Sequence, residues 1–459
     1  AKRNAIKHTA VKKMKAARVG SALLTAIVYI ISLGCLGVTS LQAQPRLIRF
    51  TPDAGALSGH QGCTLASRGQ VAPVLLDSHD YKGVAIAADN LGEDFKRVTG
   101  TGATVQTELS NLSDAKPLPM VIIVGTIGHS RLIDQLIKNG SIKVDQVAGK
   151  WEATLMQVVD NPIPGVRKAL VIAGSDKRGT IYGIYEISKQ IGVSPWYYWA
   201  DVPVVHRDEI YLVTGTKPTV LASPKVKYSG IFLNDEAPAL SGWVHEQWGG
   251  GKYQGDTKVF ELLLRLKANY LWPAMWGNAF NDDDTLNSVL ADQYGIVMGT
   301  SHHEPMLRAQ QEWKRYGKGE WNYQTNSAVL NDLWKKGIEH IGTHESIVTV
   351  GMRGDGDMPM TEGSNIALLE KIIGDQRGIL SAVTGKPASE TPQLWALYKE
   401  VQAYYDKGMR VPDDITLLLC DDNWGNLRKL PALDAKYRSG GYGIYYHFDY
   451  VGDPRNYKW

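Results

Sequence analysis

Residues 346–357 read SIVTVGMRGDGD, and this stretch decides the fold. From Ile347 to Met352 the chain is apolar, largely β-branched and free of charge, the composition of a strand buried on both faces. It runs directly into Arg353-Gly354-Asp355-Gly356-Asp357. Such a tail suits the C-terminal mouth of a buried strand. Arginine offers a planar fork to a carboxylate, glycine lets backbone approach a ligand, and the aspartates supply acid–base or hydrogen-bonding groups.

Six other apolar runs in the second half end the same way. Residues 228–233 lead into Asn234-Asp235-Glu236, 268–271 into Trp272-Pro273-Ala274-Met275-Trp276, and 295–300 into Ser301-His302-His303-Glu304. Residues 394–397 lead into Tyr398-Lys399-Glu400, 415–420 into Asp421-Asp422-Asn423, and 442–446 into His447-Phe448-Asp449-Tyr450. Amphipathic stretches such as 258–267 and 365–383 lie between them. Seven strand–helix units with decorated tips predict a (β/α)8 barrel, because an open doubly wound sheet concentrates its site at one switch point. The count falls one short of eight.

Upstream, strands and helices alternate over 44–221, with helices expected at 84–99, 130–139 and 180–190 and strands at 120–126, 151–159 and 169–174. The expected fold is therefore α/β: a small N-terminal α/β domain at 44–221, then an incomplete (β/α)8 TIM-type barrel at 222–459 lacking its last strand. Residues 195–224, with four prolines and few charges, read as a linker or edge segment. Ser175-Asp176-Lys177-Arg178-Gly179-Thr180 reads as a capped helix start, with an anion-binding turn as the alternative. It lacks the spacing of a P-loop.

Residues 1–43 hold seven Lys/Arg and no Asp/Glu, which leaves 43 basic against 47 acidic side chains, a net of −4, in the remainder. The formal +3 of the whole chain thus points to no nucleic-acid surface. From Met14 the chain reads as a secretory signal: Lys15 and Arg18, an apolar stretch at 21–38, and a cleavage end at Ser40-Leu41-Gln42-Ala43. Residues 1–13 then lie upstream, and an exported protein is expected. An uncleaved membrane anchor or a lipid on Cys35 stays open. Cys35, Cys63 and Cys420 form no framework, so free thiols are expected, with a Cys63–Cys420 bridge as the alternative. Thirteen Trp and 22 Tyr against six Phe give amphipathic rings of the kind that line sugar sites, interfaces and cores.

Residues 225–459 resemble glycoside hydrolase family 115, the xylan α-1,2-glucuronidases. The resemblance rests on GIFLNDEAPALSGWV at 230–244, FELLLRLKANYLWPAMWGNAFNDDDT at 260–285, GTSHHEPMLRAQQEWKRYG at 299–317, VGMRGDGDM at 350–358, LLLCDDNWGNL at 417–427 and GYGIYYHFDYVGD at 441–453. The N-terminal domain is similar to that of the family through GTIYGIYEISK at 179–189. The resemblance implies an inverting glycosidase acting on glucuronoxylan or glucuronoxylo-oligosaccharides, with no cofactor and with homodimerisation of the parent left open. It also implies that family members continue past residue 459, so that this piece alone is expected to be poorly soluble or inactive.

Cleaving a glycosidic bond takes one carboxyl group to protonate the leaving oxygen and one to activate water or attack carbon. The family's important active-site positions match Asp235, His303, Arg353, Asp357, Glu400, Asp421, Asn423, His447 and Tyr450. Glu400 is assigned as general acid and Asp357 as general base, with Asp421 and Asp235 as substitutes. Asn234, Tyr398, Trp276 and Glu186 complete the substrate-binding set. Arg353 either grips the sugar carboxylate or pairs with a neighbouring aspartate. A metal-dependent hydrolase using His302, His303, Asp357 and Asp421 is the rival reading, although adjacent strand residues point to opposite faces, so one histidine of the pair is expected at the mouth. A non-catalytic, sugar-binding piece is the other. Trp272 either stacks on sugar or packs, and Asp282-Asp283-Asp284 reads as a solvated loop or helix cap, without EF-hand spacing.

Overall fold

The computed structural model describes residues 46–51, 63–107, 116–213, 217–233, 240–249, 252–273, 277–360, 365–432 and 435–448. The chain from Leu47 onward forms one compact unit. Its first ten strands are β1 (Ile48–Arg49), β2 (Thr64–Ser67), β3 (Gln70–Val71), β4 (Val74–Leu75), β5 (Val105–Gln106), β6 (Val121–Thr126), β7 (Thr154–Asp160), β8 (Lys168–Gly174), β9 (Ile210–Leu212) and β10 (Thr219–Leu221). They make a small sheet ordered β1-β9-β2-β3 and a larger one ordered β10-β7-β8-β6-β4-β5. In the larger sheet β8, β6, β4 and β5 run parallel, while β7 runs antiparallel to both its neighbours, β8 and β10, so that β10 points the same way as the parallel four. Every residue of β6 is buried, as a run of Val and Ile between helical layers requires. The segment expected to be a linker or edge supplies β10, at the edge of the large sheet, and also β9, an interior strand of the small one. Three-residue strands between prolines leave no periodicity long enough to read.

Among the described residues seven further strands follow: β11 (Gly230–Phe232), β12 (Tyr270–Trp272), β13 (Val297–Met298), β14 (Val348–Thr349), β15 (Gln393–Ala396), β16 (Thr416–Cys420) and β17 (Tyr442–Tyr445). They run parallel in chain order, β11-β12-β13 and β14-β15-β16-β17, with a parallel bridge from Met298 to Ser346 joining the two groups. The arrangement curls on itself. Phe232 of β11 and Tyr445 of β17 have ring centroids 5.8 Å apart, and Trp272 lies 5.3 Å from Tyr445. With Val297, Ile347, Leu394 and Ala396 these rings form one internal apolar cluster, so Trp272 packs. Among the described residues, β11 pairs only with β12 and β17 only with β16.

The α/β layer and the first units of this second part share a core. Ile181, Ile184 and Ile187 of the helix Lys177–Ile191 join the same cluster as Phe260, Leu263, Leu271 and Met298. Gly183 lets that helix close on the sheet: a Cβ there would meet Thr154 Cγ2 at 2.5 Å and Ile172 Cγ2 at 2.6 Å. Asp176 caps the helix by accepting from Gly179 N–H at 2.7 Å, which is the capped start expected. Arg178 pairs with Glu152 and Glu345, tying this end to the segment entering β14. Asp284 caps the helix Thr285–Tyr294, while Asp282 and Asp283 hold Arg315. Cys63 and Cys420 are free thiols.

A second tie is buried. Arg265 donates to Asp94 Oδ2 at 2.7 Å, to Asp94 Oδ1 at 3.2 Å and to Glu261 Oε1 at 2.8 Å, and Asp94 is 0% exposed. Removing one partner of a buried pair strands the other charge. Arg265→Met is expected to lower the unfolding free energy by about 3 kcal/mol in urea titrations. The double variant Arg265→Met/Asp94→Leu, which removes the stranded Asp94 charge but leaves Glu261 on Lys258 and Tyr197, should recover part of that loss.

Candidate active site

The tip of β14 is set by a side chain far along the sequence. Gln376, on the helix Ile366–Thr384, accepts from Gly351 N–H and donates to Gly351 C=O, both at 2.8 Å. Gly351 has φ +99°, a conformation that favours glycine. The chain then turns so that Arg353 enters the interior, with its C=O accepting from Trp321 Nε1 at 2.8 Å. Gly354 N–H donates to Met358 C=O at 2.7 Å and closes the loop around Asp357.

Arg353 is 2% exposed and bridges two carboxylates. Its Nε donates to Glu400 Oε1 at 2.9 Å and its Nη2 to Glu400 Oε2 at 2.7 Å, a two-pronged pairing. Its Nη1 pairs with Asp357 Oδ1. Of the two roles expected for Arg353, the ion pair with a neighbouring aspartate is present, extended to Glu400. Lys399, just before Glu400, places Nζ 3.3 Å from Asp357 Oδ2. It has φ +50°, uncommon outside glycine, and its side chain stays 45% exposed. Burial, then the charge of Arg353, lowers the affinity of the Lys399 amine for its proton.

Both histidines of the β13 tip reach Asp357. His302 Nε2 lies 3.0 Å and His303 Nδ1 3.8 Å from Asp357 Oδ1. The expectation that one of them turns away is corrected, because β13 ends at Met298 and the pair sits on a turn, where strand alternation no longer applies. Burial, reinforced by the charges of Arg353 and Lys399, pushes the His302 imidazole well below its ordinary range. Burial, then the His302 and Arg353 charges, pushes His303 down to about 2. The three possible ligand atoms lie within 4.8 Å of one another. The guanidinium of Arg353 already contacts the same Asp357 oxygen, and its fixed charge opposes a cation there.

The next tips complete the cluster. Asp421, buried, receives His447 Nδ1 at 2.6 Å and Gly425 N–H at 3.1 Å. Asn423, with φ +65°, donates from Nδ2 to the Tyr398 hydroxyl at 3.2 Å. The Tyr398 ring lies 4.3 Å from His302 and 5.8 Å from His447, centroid to centroid. The structure thus brings together Arg353, Asp357, Tyr398, Glu400, Asp421, Asn423, His303 and His447 from five tips. Glu186 stands apart, on the helix Lys177–Ile191, paired with Lys267 at 2.7 Å and with Gln190 at 3.0 Å. Asn234, Asp235, Trp276 and Tyr450 lie outside the described residues. Sequence reasoning offered His302 only as a possible metal ligand and gave Lys399 no role, although both stand inside tips it quoted.

The depressed histidines link pH to stability. His303 binds a proton in the unfolded chain below about 6.5 but in the folded chain only near 2, so stability is present above 6.5 and falls as pH drops. His303 is expected to remove about 2 kcal/mol of unfolding free energy between pH 6.5 and pH 5. Urea titrations at both pH values should show a smaller fall in His303→Gln.

The sequence profile of glycosyl hydrolase family 115 matches residues 222–459. Among solved structures, the chain is similar to BtGH115A, a family GH115 4-O-methyl-alpha-glucuronidase with specificity for decorated arabinogalactans, at 36% identity and a TM-score of 0.75. The match covers 86% of this chain and 51% of that chain, so this chain spans about half the length of that relative. A Streptomyces plicatus N-acetyl-beta-hexosaminidase is 10% identical with a TM-score of 0.44, covering 86% of this chain and 84% of that chain. A comparison with curated proteins finds no match. By the extent of the profile match and the identity to the glucuronidase, the chain belongs to glycoside hydrolase family 115.

Proposed function

We propose that this chain carries the catalytic centre of an exported α-glucuronidase, which removes α-1,2-linked (4-O-methyl)glucuronic acid from xylan with inversion. The observation that carries the reading is the guanidinium of Arg353 shared between Glu400 and Asp357, the two carboxyl groups assigned to acid and base. An inverting pair stands roughly 6.5–9.5 Å apart to admit water between base and sugar. A rigid guanidinium between two carboxylates is a spacer that keeps them oriented and separate. In this reading Glu400, which accepts from Arg353 through both oxygens, releases one prong and takes up a proton from solvent before it protonates the leaving oxygen, and Asp357 takes a proton from water. Asp421 and Asp235 remain the substitutes.

Recognition of an acidic sugar follows from the charge of the pocket. Arg353 is buried on its partners, so the exposed amine of Lys399 is the cation that meets the uronate carboxylate. His302 and His303, uncharged at neutral pH, exchange hydrogen bonds with sugar hydroxyls, as do Asn423, Tyr398 and His447. The seven parallel strands are read as those of a (β/α)8 barrel, in which active-site groups come from the C-terminal tips of several strands. Support for that reading comes from their chain order and from the contact of Phe232 with Tyr445. The glucuronidase that this chain resembles is specific for decorated arabinogalactans, so xylan and arabinogalactan are the two polymers to compare. Polymers of either kind do not cross membranes, which fits the exported protein expected from residues 14–43.

Glu400→Gln and Asp357→Asn are each expected to lower turnover by about 10³-fold on the preferred polymer. Released acid measured by chromatography, and its anomer by NMR at early times, tests both the pair and the inversion. A near-normal rate in either variant removes that residue from its role. Dialysis against a chelator should leave the rate unchanged, whereas loss of activity restored by a divalent ion would favour the metal-dependent reading.

A further inference from the structure

The loop after β16 carries a side chain that this chemistry does not use. Trp424 is 65% exposed, and it follows Asn423, whose side chain holds the Tyr398 hydroxyl. Single exposed apolar residues are ordinary on a protein surface, so exposure alone decides nothing. What distinguishes Trp424 is how its backbone is held. Asp422 Oδ1 accepts from Trp424 N–H at 2.9 Å and from Asn426 N–H at 3.0 Å, and Asp422 Oδ2 accepts from Asn426 Nδ2 at 2.9 Å. Asp422 N–H in turn donates to Asn426 C=O at 3.0 Å, and Asp421 Oδ2 accepts from Gly425 N–H at 3.1 Å. Gly425 has φ +86° and lies against the Tyr446 hydroxyl, 2.8 Å from where a Cβ would stand. The loop is thus fixed before any ligand arrives, and its crest presents an indole to water.

The order of the strands says which part of a substrate would meet it. β14 leads into the loop that holds Asp357, and its neighbour β15 leads into Glu400. The next strand, β16, leads into the Trp424 loop. A general acid protonates the leaving oxygen, so the leaving group lies on the acid's side of the pocket, away from the base. With Glu400 as acid, that side faces the β16 loop. The leaving group is an uncharged chain of pyranose rings, whose C–H faces stack on a flat aromatic ring. Asn423 joins the indole to the catalytic cluster without a break, since consecutive Cα atoms are about 3.8 Å apart.

We infer that Trp424 is the platform for the leaving-group side of the substrate, stacking on a neutral pyranose of the polysaccharide backbone; the inference rests on the glucuronidase reading of the site. The test is calorimetric titration of two undecorated neutral oligosaccharides, xylohexaose and a β-1,3-linked galacto-oligosaccharide, into the intact protein. At least one should bind saturably. Its Kd should rise about tenfold in Trp424→Ala and less in Trp424→Phe, the scale of one lost stacking contact. The two probes distinguish a xylan-type from a galactan-type backbone. Absence of binding by both, or equal binding by Trp424→Ala, overturns the inference. So does a change of oligomeric state in Trp424→Ala by light scattering, which would make the indole a protein contact. Neither probe contains glucuronic acid or a bond to be cleaved, so this result is read separately from acid release.

Discussion

Burying a guanidinium is costly unless its donors are met, and Arg353 meets that requirement with the two carboxylates the chemistry needs. The rest of the site follows from this pairing. Two carboxylates held near one another repel in a low-dielectric pocket, and the cation between them removes the repulsion while fixing both orientations. The cation must itself be fixed, and its backbone is anchored by Trp321 while the preceding Gly351 is gripped on both sides by Gln376. The chemistry of the mouth therefore depends on a glutamine buried in a helix of the outer layer.

Electrostatics around this pair are lopsided. Arg353 and Lys399 are cations, and the two histidines beside them stay uncharged because burial and those same cations resist a second positive charge. Neutral imidazole supplies both a donor and an acceptor, which a protonated ring does not. The combination offers charge to one group of a ligand and neutral hydrogen bonds to the others.

Much of this was legible in the residues. Each of the seven apolar runs overlaps an observed parallel strand, and the tips of β13 to β17 converge because parallel strands in chain order bring their C-terminal ends to one face. The role of Gln376 was not legible, since a glutamine in an amphipathic helix gives no sign that it clamps a backbone 25 positions away. Lys399 adopts a positive φ that lysine does not favour, and it does so where its amine meets Asp357, a contact that no local pattern announces. The expectation that one of the two histidines turns away carried strand alternation four to five residues past Met298, where the strand stops. Glu186, read with the sugar-binding set, is held by Lys267 and by Gln190 of its own helix.

The apolar cluster that runs from Ile48 through Ile184 to Met298 has an evolutionary consequence. An N-terminal domain joined by a hinge can be exchanged, duplicated or lost without disturbing its neighbour. Here Asp94 and Arg265 meet inside, and isoleucines of one helix fill the space beneath strands of the other part. The two portions are inherited as one object, and a gene rearrangement that cut between them would leave each with half an interior.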